Sequence, residues 1–216
     1  MAFEHYIQSA GKLLRCGYTT GTCAALAAAG AAELLLTGKA PAALALTTPK
    51  GLRVETEPVF CLLEGTTARC AVEKDGGDDA DVTNGIRIEA QVVRTEQPGV
   101  RVEGGSGVGR VTRPGLDQPV GAAAINRVPR QMIAAAVEEV CGETGYGGGL
   151  SIVISVPDGP TSDFFCSLLN VSLSTYFSVS GRSRLIVMFP SDHTDFSGET
   201  ESGFPYFLHS VSKIEK

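Results

Sequence analysis

Three short segments concentrate the residue types that do chemistry. The first is Gly17-Tyr18-Thr19-Thr20-Gly21-Thr22-Cys23. Its glycines flank hydroxyl side chains immediately ahead of a helical stretch. The first turn of a helix leaves backbone N–H groups unpaired and carries partial positive charge. Glycine admits a ligand close to the backbone, and threonine adds donors, so the segment suits a phosphate or a carboxylate. A plain N-cap with a tight turn accounts for the spacing equally well.

The second segment is Lys74-Asp75-Gly76-Gly77-Asp78-Asp79-Ala80-Asp81-Val82-Thr83-Asn84-Gly85, which crowds four carboxylates into one turn. A calcium loop of the EF-hand type fails, because no glutamate closes it and no helices flank it. A solvated turn fits best, since aspartate and glycine both favour turn conformations. A site whose carboxylates orient a ligand is the sharper alternative. The third segment, Gly104-Gly105-Ser106-Gly107-Val108-Gly109, reads GxGxG and not GxGxxG. Pro114 prevents the following residues from opening a helix, so the dinucleotide fingerprint fails. A loop whose backbone comes close to a ligand remains open, with Gly105 and Gly107 at its centre. Arg110 and Arg113 beside it suit anionic groups.

The cysteines offer less. Cys16, Cys23, Cys61, Cys70, Cys141 and Cys166 have mostly apolar neighbours and read as core-type thiols. They are too few and too scattered for a disulfide scaffold. There is no CxxC pair and there are only three histidines, which argues against a zinc site. His5 is the only histidine ahead of residue 160, so a Cys–His nucleophile is improbable.

Positioning these segments requires a scaffold. A helix is expected over 22–36, capped by threonine and stopped at Gly38. It carries alanine on nearly every face, which implies close packing against a sheet or a second helix. Strand-like alternation follows at 52–56, 66–72 and 86–93, with shorter runs at 100–103 and 108–112. A second helix is expected to begin at Pro129, to bury Met132, Ile133, Ala136, Val137 and Val140, and to end at Gly142. The run 150–156 reads as a strand buried on both faces. This order predicts an α+β fold, with helices packed on one side of a mainly antiparallel or mixed sheet.

The chain has 216 residues, 43% of them hydrophobic and 19% charged, enough to bury a core. A net charge of −6 argues against a general nucleic-acid binder. The most apolar stretch, 23–36, is interrupted by Glu33 and is too short to span a bilayer. It also begins too deep to be a secretory signal, and a reducing cytoplasm is the default compartment. Near residue 160 the composition breaks. All 23 alanines precede that point, whereas 161–216 holds none, with twelve serines and seven of the nine phenylalanines. The chain therefore divides into a domain over 1–160 and an atypical tail over 161–216. A second module, a weakly folded extension and a shifted reading frame all account for the tail.

Residues 13–23, Leu-Leu-Arg-Cys-Gly-Tyr-Thr-Thr-Gly-Thr-Cys, resemble the N-terminal signature of the CbiD family, the cobalt-precorrin-5B C1-methyltransferases of anaerobic cobalamin biosynthesis. The resemblance recurs in order through the acidic segment 74–85, the glycine segment 104–109, then 111–115, 119–121, 124–126, Val128-Pro129-Arg130 and 151–157. It stops near residue 160, where the family continues into a Rossmann-like domain that 161–216 does not resemble. It implies a truncated family member, weakly active or inactive.

The activity implied is methyl transfer from S-adenosylmethionine to C1 of a cobalt-bound tetrapyrrole. No protein metal ligand is needed, since cobalt arrives with the substrate. The implied substrate-binding residues are Arg15, Gly17, Tyr18, Thr19, Thr20, Gly21, Thr22, Gly105, Gly107, Arg110 and Arg113, suited to the acetate and propionate groups of the ring. Asp75, Asp78 and Asp79 are the implied catalytic residues, one of them removing a proton after methylation. The partner is then this small molecule, with neither nucleic acid nor membrane. A non-catalytic tetrapyrrole-binding fragment is the alternative. A small-molecule kinase is weaker still, because no Walker A lysine follows the glycines.

Overall fold

The structure, a computed structural model, describes residues 4–9, 11–78, 83–112 and 118–157. In chain order its elements are β1 (Tyr6–Ser9), β2 (Lys12–Arg15), α1 (Thr20–Thr37), β3 (Leu44–Thr47), β4 (Arg53–Thr56), β5 (Phe60–Glu64), β6 (Thr67–Glu73), β7 (Arg87–Thr95), β8 (Gly99–Gly104), α2 (Arg127–Thr144) and β9 (Gly149–Ser155). The expectations for residues 161–216 lie outside the described residues.

Strands β5 to β9 form one five-stranded sheet in the order β5-β6-β7-β9-β8. Every pair is antiparallel except β8 with β9, which is parallel. The pairs β1–β2 and β3–β4 are separate two-stranded hairpins. The α+β expectation with a mixed sheet is met.

Period-2 alternation decides which sheet face is dry. Ala68, Cys70 and Val72 of β6, Ile88, Ala90 and Val92 of β7, and Leu150, Ile152 and Ile154 of β9 are buried beneath the helices. Ser151, Val153 and Ser155 on the other face of β9 are only half-buried. The expected burial of this strand on both faces is thus corrected: the helices cover one face only.

The alanines of α1 act as expected. The helix is buried almost all round, between the sheet on one side and α2 on the other. Thr19 is its N-cap and Gly38, at φ 73°, turns the chain away. By length and composition alone this 18-residue helix is apolar enough to cross a membrane, which corrects the reading of 23–36 as too short, yet 78% of it is buried inside the fold. Arg94 of β7 donates to the Leu35 carbonyl at 3.0 Å, placing a cation at the negative end of the helix.

Three local expectations are revised. Helix α2 starts at Arg127 after Asn126, so Pro129 is its third residue and not its first. It also runs through Gly142 and ends where Gly145 takes the left-handed conformation, at φ 67°. The run 108–112 forms no strand, only the isolated bridge Arg110 to Ala123. Finally, Cys61 and Cys70 are joined as a disulfide across β5 and β6, where core thiols were expected. The tight turn between these strands sets the two cysteines directly opposite one another.

Candidate functional site

The sheet registers bring the three chemistry-bearing segments to one end of the domain. Glu73, the last residue of β6, pairs with Arg87, the first of β7. Glu89, near that end of β7, pairs with Ser155 at the finish of β9. Gly104, the last residue of β8, pairs with Ile154. The acidic segment, the glycine segment and the exit of β9 therefore share one end of the sheet. Both helices begin there too. The Tyr18 amide donates to the Asp75 carbonyl at 2.7 Å just ahead of α1. Gly21 in its first turn faces Pro129 of α2, so closely that a Cβ would stand 3.1 Å from the proline ring.

At the centre of this end, Arg15 grips the acidic segment. Its guanidinium donates to both carboxylate oxygens of Asp75, at 2.6 and 2.8 Å. The Arg15 amide donates to Asp78 Oδ2 at 2.8 Å, and the Asp78 amide returns a bond to the Arg15 carbonyl at 3.0 Å. Asp75 Oδ1 also accepts from the Gly77 amide at 2.8 Å. The Arg15 guanidinium holds the Asp75 carboxyl below the usual carboxylate range, while partial burial works the other way. Two of the expected catalytic carboxylates are thus organised by an expected substrate-binding arginine. Asp79 and Arg113 lie outside the described residues.

The glycines of these segments answer to the backbone. A Cβ on Gly17 would collide with the Asp75 carbonyl and with Gly76, and a Cβ on Gly77 would collide with the Arg15 carbonyl. Gly107 has φ 72°, and a Cβ there would strike the Val156 carbonyl. A side chain on Gly105 would strike Ser155. The Gly105 amide donates to the Ile154 carbonyl at 2.7 Å, and the Val156 amide to the Ser106 carbonyl at 2.8 Å. The close approach that glycine permits is taken up by neighbouring backbone, which fixes both loops firmly.

The threonines divide between cap and core. Thr19 Oγ1 accepts from the Thr22 amide at 3.1 Å, the bond of a plain N-cap. Thr20 and Thr22 are buried, and the buried Tyr18 hydroxyl donates to the Glu55 carbonyl at 3.1 Å. Arg110 stands on the bridge to Ala123 and donates to the Gly121 carbonyl at 2.9 Å. Burial pushes the Cys23 thiol up to about 12, so it is a neutral core group and no nucleophile.

A model of the CbiD family matches residues 7–162. The chain belongs to the CbiD family. Its similarity to curated CbiD relatives is high. It is 51% identical over 148 residues to the cobalt-precorrin-5B C(1)-methyltransferase of Geobacillus kaustophilus, covering 68% of this chain and 40% of that one. It is 47% identical over 156 residues to the enzyme of the same name from Ruminiclostridium cellulolyticum, covering 72% and 40%. It also resembles the crystal structure of a cobalamin biosynthesis protein, CbiD, from Archaeoglobus fulgidus. There the TM-score is 0.51 at 36% identity, over 71% of this chain and 48% of that one. The chain therefore spans about 40% of the length of the curated relatives it matches.

Three side chains that organise this CbiD end escaped the sequence reading. Lys74 is buried at the root of the acidic segment, where its Nζ donates to the buried Thr83 hydroxyl. Asn84 Oδ1 accepts from the Gly76 amide at 2.8 Å, tying the two limbs of the segment together. Arg130 donates to the carbonyls of Ile125, Val102 and Ala123, linking α2, β8 and the connection just ahead of the helix. The available signal was position: Lys74 and Asn84 flank the carboxylates, and Arg130 follows Pro129 in a helix's first turn.

Proposed function

We propose that this chain forms the substrate-facing part of a methyltransferase that carries a methyl group from S-adenosylmethionine to C1 of cobalt-precorrin-5B, giving cobalt-precorrin-6A. One observation carries the reading: residues 7–162, which match the CbiD family model, contain all three chemistry-bearing segments, and these meet at one end of the sheet.

The chemistry asks mainly for alignment. The donor sulfonium methyl is already electrophilic, and the macrocycle carbon is electron-rich, so the protein must hold the two in line and exclude water. A ring edged with acetate and propionate groups suits an end where two helix N-termini start and Arg110 stands near. Arg110 and the helix N-termini support an acidic substrate, because the Arg15 guanidinium is taken up by Asp75, and no described residue is assigned to the donor. Asp78, with one oxygen on the Arg15 amide, and Asp79 are the candidate acceptors of the proton that the macrocycle releases after C1 is methylated. Asp75, held ionised by Arg15, is a positioning residue.

Incubating the purified chain with cobalt-precorrin-5B and S-adenosylmethionine, followed by mass spectrometry, tests the activity. A gain of one methyl group supports it. Spectral binding of the tetrapyrrole without that gain favours a second reading, a non-catalytic binding fragment, which the 40% coverage of the relatives motivates. Neither binding nor transfer overturns both. Unchanged turnover of a full-length relative carrying Asp→Asn at the position of Asp78 would remove that residue from the list. For residues 161–216 a shifted reading frame remains our proposal, and translating the coding DNA beyond codon 160 in the other frames tests it.

A further inference from the structure

The five-stranded sheet has two edges, and they differ in kind. The β8 edge exposes Arg101 and Glu103, charges that discourage pairing with another chain. The β5 edge carries no charge from Val59 to Leu63, and Val59, Leu62 and Leu63 are 46%, 48% and 45% exposed. Its backbone is available as well. Cys61 and Cys70 stand opposite one another with Cα atoms 4.2 Å apart, the spacing of a pair that does not exchange backbone hydrogen bonds. The N–H and C=O groups of Cys61, and of Leu63 two residues on, therefore point away from β6. Among the described residues these groups have no hydrogen-bond partner.

We propose that β5 is a dimer contact, on which a second copy of this chain adds its own β5 antiparallel about a two-fold axis at Leu62. This register sets Cys61 opposite Leu63 of the second copy, and Leu63 opposite its Cys61. Those are the residues whose backbone groups face outward, so the ladder closes with every outward donor and acceptor paired. The two Leu62 side chains meet on the axis. Phe60, Leu62 and Glu64 share one sheet face with Arg69 of β6. Glu64 of the second copy then lies beside Phe60, over whose ring the Arg69 guanidinium sits at 5.8 Å. Arg69 also pairs with Glu89 at 2.8 Å, so the acid of the second copy joins an existing ion pair on that face.

Light scattering of the purified 216-residue chain tests this. The expected mass is that of two chains. Leu62→Lys and Leu62→Glu each set like charges on the axis, and each should weaken the dimer by about tenfold or more. Mixing the two variants pairs lysine with glutamate and should restore a two-chain species. Should either variant fold poorly, hydrogen exchange of the wild type provides the readout: the Cys61 and Leu63 amides should be protected when concentrated and exchange faster on dilution. A single-chain mass at every concentration, concentration-independent protection, or dimers indifferent to both substitutions would overturn the proposal.

Discussion

Arg15 and Asp75, 60 positions apart in sequence, form a two-bond ion pair that fastens the β1–β2 hairpin and the start of α1 to the acidic segment. Their side chains are 23% and 31% exposed, so water screens the pair only in part. The contact joins the two segments on which the functional reading depends.

Arg15→Ala and Asp75→Ala should each lower stability at neutral pH, with a coupling of about 1–2 kcal/mol in a double-mutant cycle. The folded-state pKa of Asp75 is depressed, so its contribution is present in full above the unfolded carboxylate value of about 4 and is lost as pH falls through the lowered value. Urea titrations at pH 7 and at successive pH values below about 4 check this, and the coupling should shrink along that descent. A coupling undiminished throughout would contradict the assignment.

Two glycines should respond in opposite directions to alanine. Gly107 combines φ 72° with a Cβ position against the Val156 carbonyl, and that backbone belongs to the exit of β9. Gly107→Ala should cost at least about 2 kcal/mol. Gly142 lies inside α2 with nothing within 4 Å of a Cβ. Gly142→Ala should stabilise by about 0.5–1 kcal/mol through helix propensity and a less free unfolded chain. Thermal unfolding of both variants decides, and a drop for Gly142→Ala would show that the last turn of α2 is not the helix described.

Most of the elements legible in the sequence were those with enough turns or alternations to show a period. The Met132-to-Val140 stripe and the strands around Val54, Val72 and Ile88 carried that signal, whereas the alanine helix was legible from its caps and small side chains and β9 from an unbroken apolar run. Strands β1, β2 and β3 have four residues each and no alternation of charged with apolar residues, unlike the equally short β4, where Arg53 and Glu55 flank Val54. The end of α2 was misplaced because glycine is only permissive of a helix stop: Gly142 and Gly145 are equivalent in sequence, and only Gly145 takes the left-handed turn. The three site segments were visible as clusters of glycine, hydroxyl and carboxylate. Their mutual contact was not, because Arg15 to Asp75 and Gly107 to Val156 are long-range pairings, the first made where the β1–β2 hairpin meets the acidic segment and the second where β8 and β9 end together. The Cys61–Cys70 pair was within reach, since both residues lie the same distance from a Gly65-Thr66 turn.

Arg130 provides the last prediction. Its guanidinium stands where α2 begins and donates to three carbonyls in two segments: Ile125 at 2.9 Å and Ala123 at 3.3 Å just ahead of the helix, and Val102 of β8 at the closest approach. Burial lowers its pKa, yet an arginine remains charged at any ordinary pH. Removing it strands carbonyl oxygens that sit partly out of water. Arg130→Met should therefore cost about 2–3 kcal/mol despite preserving much of the apolar stem. Arg130→Lys should recover only part of that loss, because one ammonium cannot reach three divergent acceptors as a planar fork does. The Val102 carbonyl lies two residues before Gly104, so the damage should spread to the glycine segment. Hydrogen exchange at the Gly105 and Val156 amides should rise in both variants, while amides at the far end of β7 stay protected. Uniform loss across the sheet would mean that Arg130 supports the whole core and does not specifically anchor the candidate site.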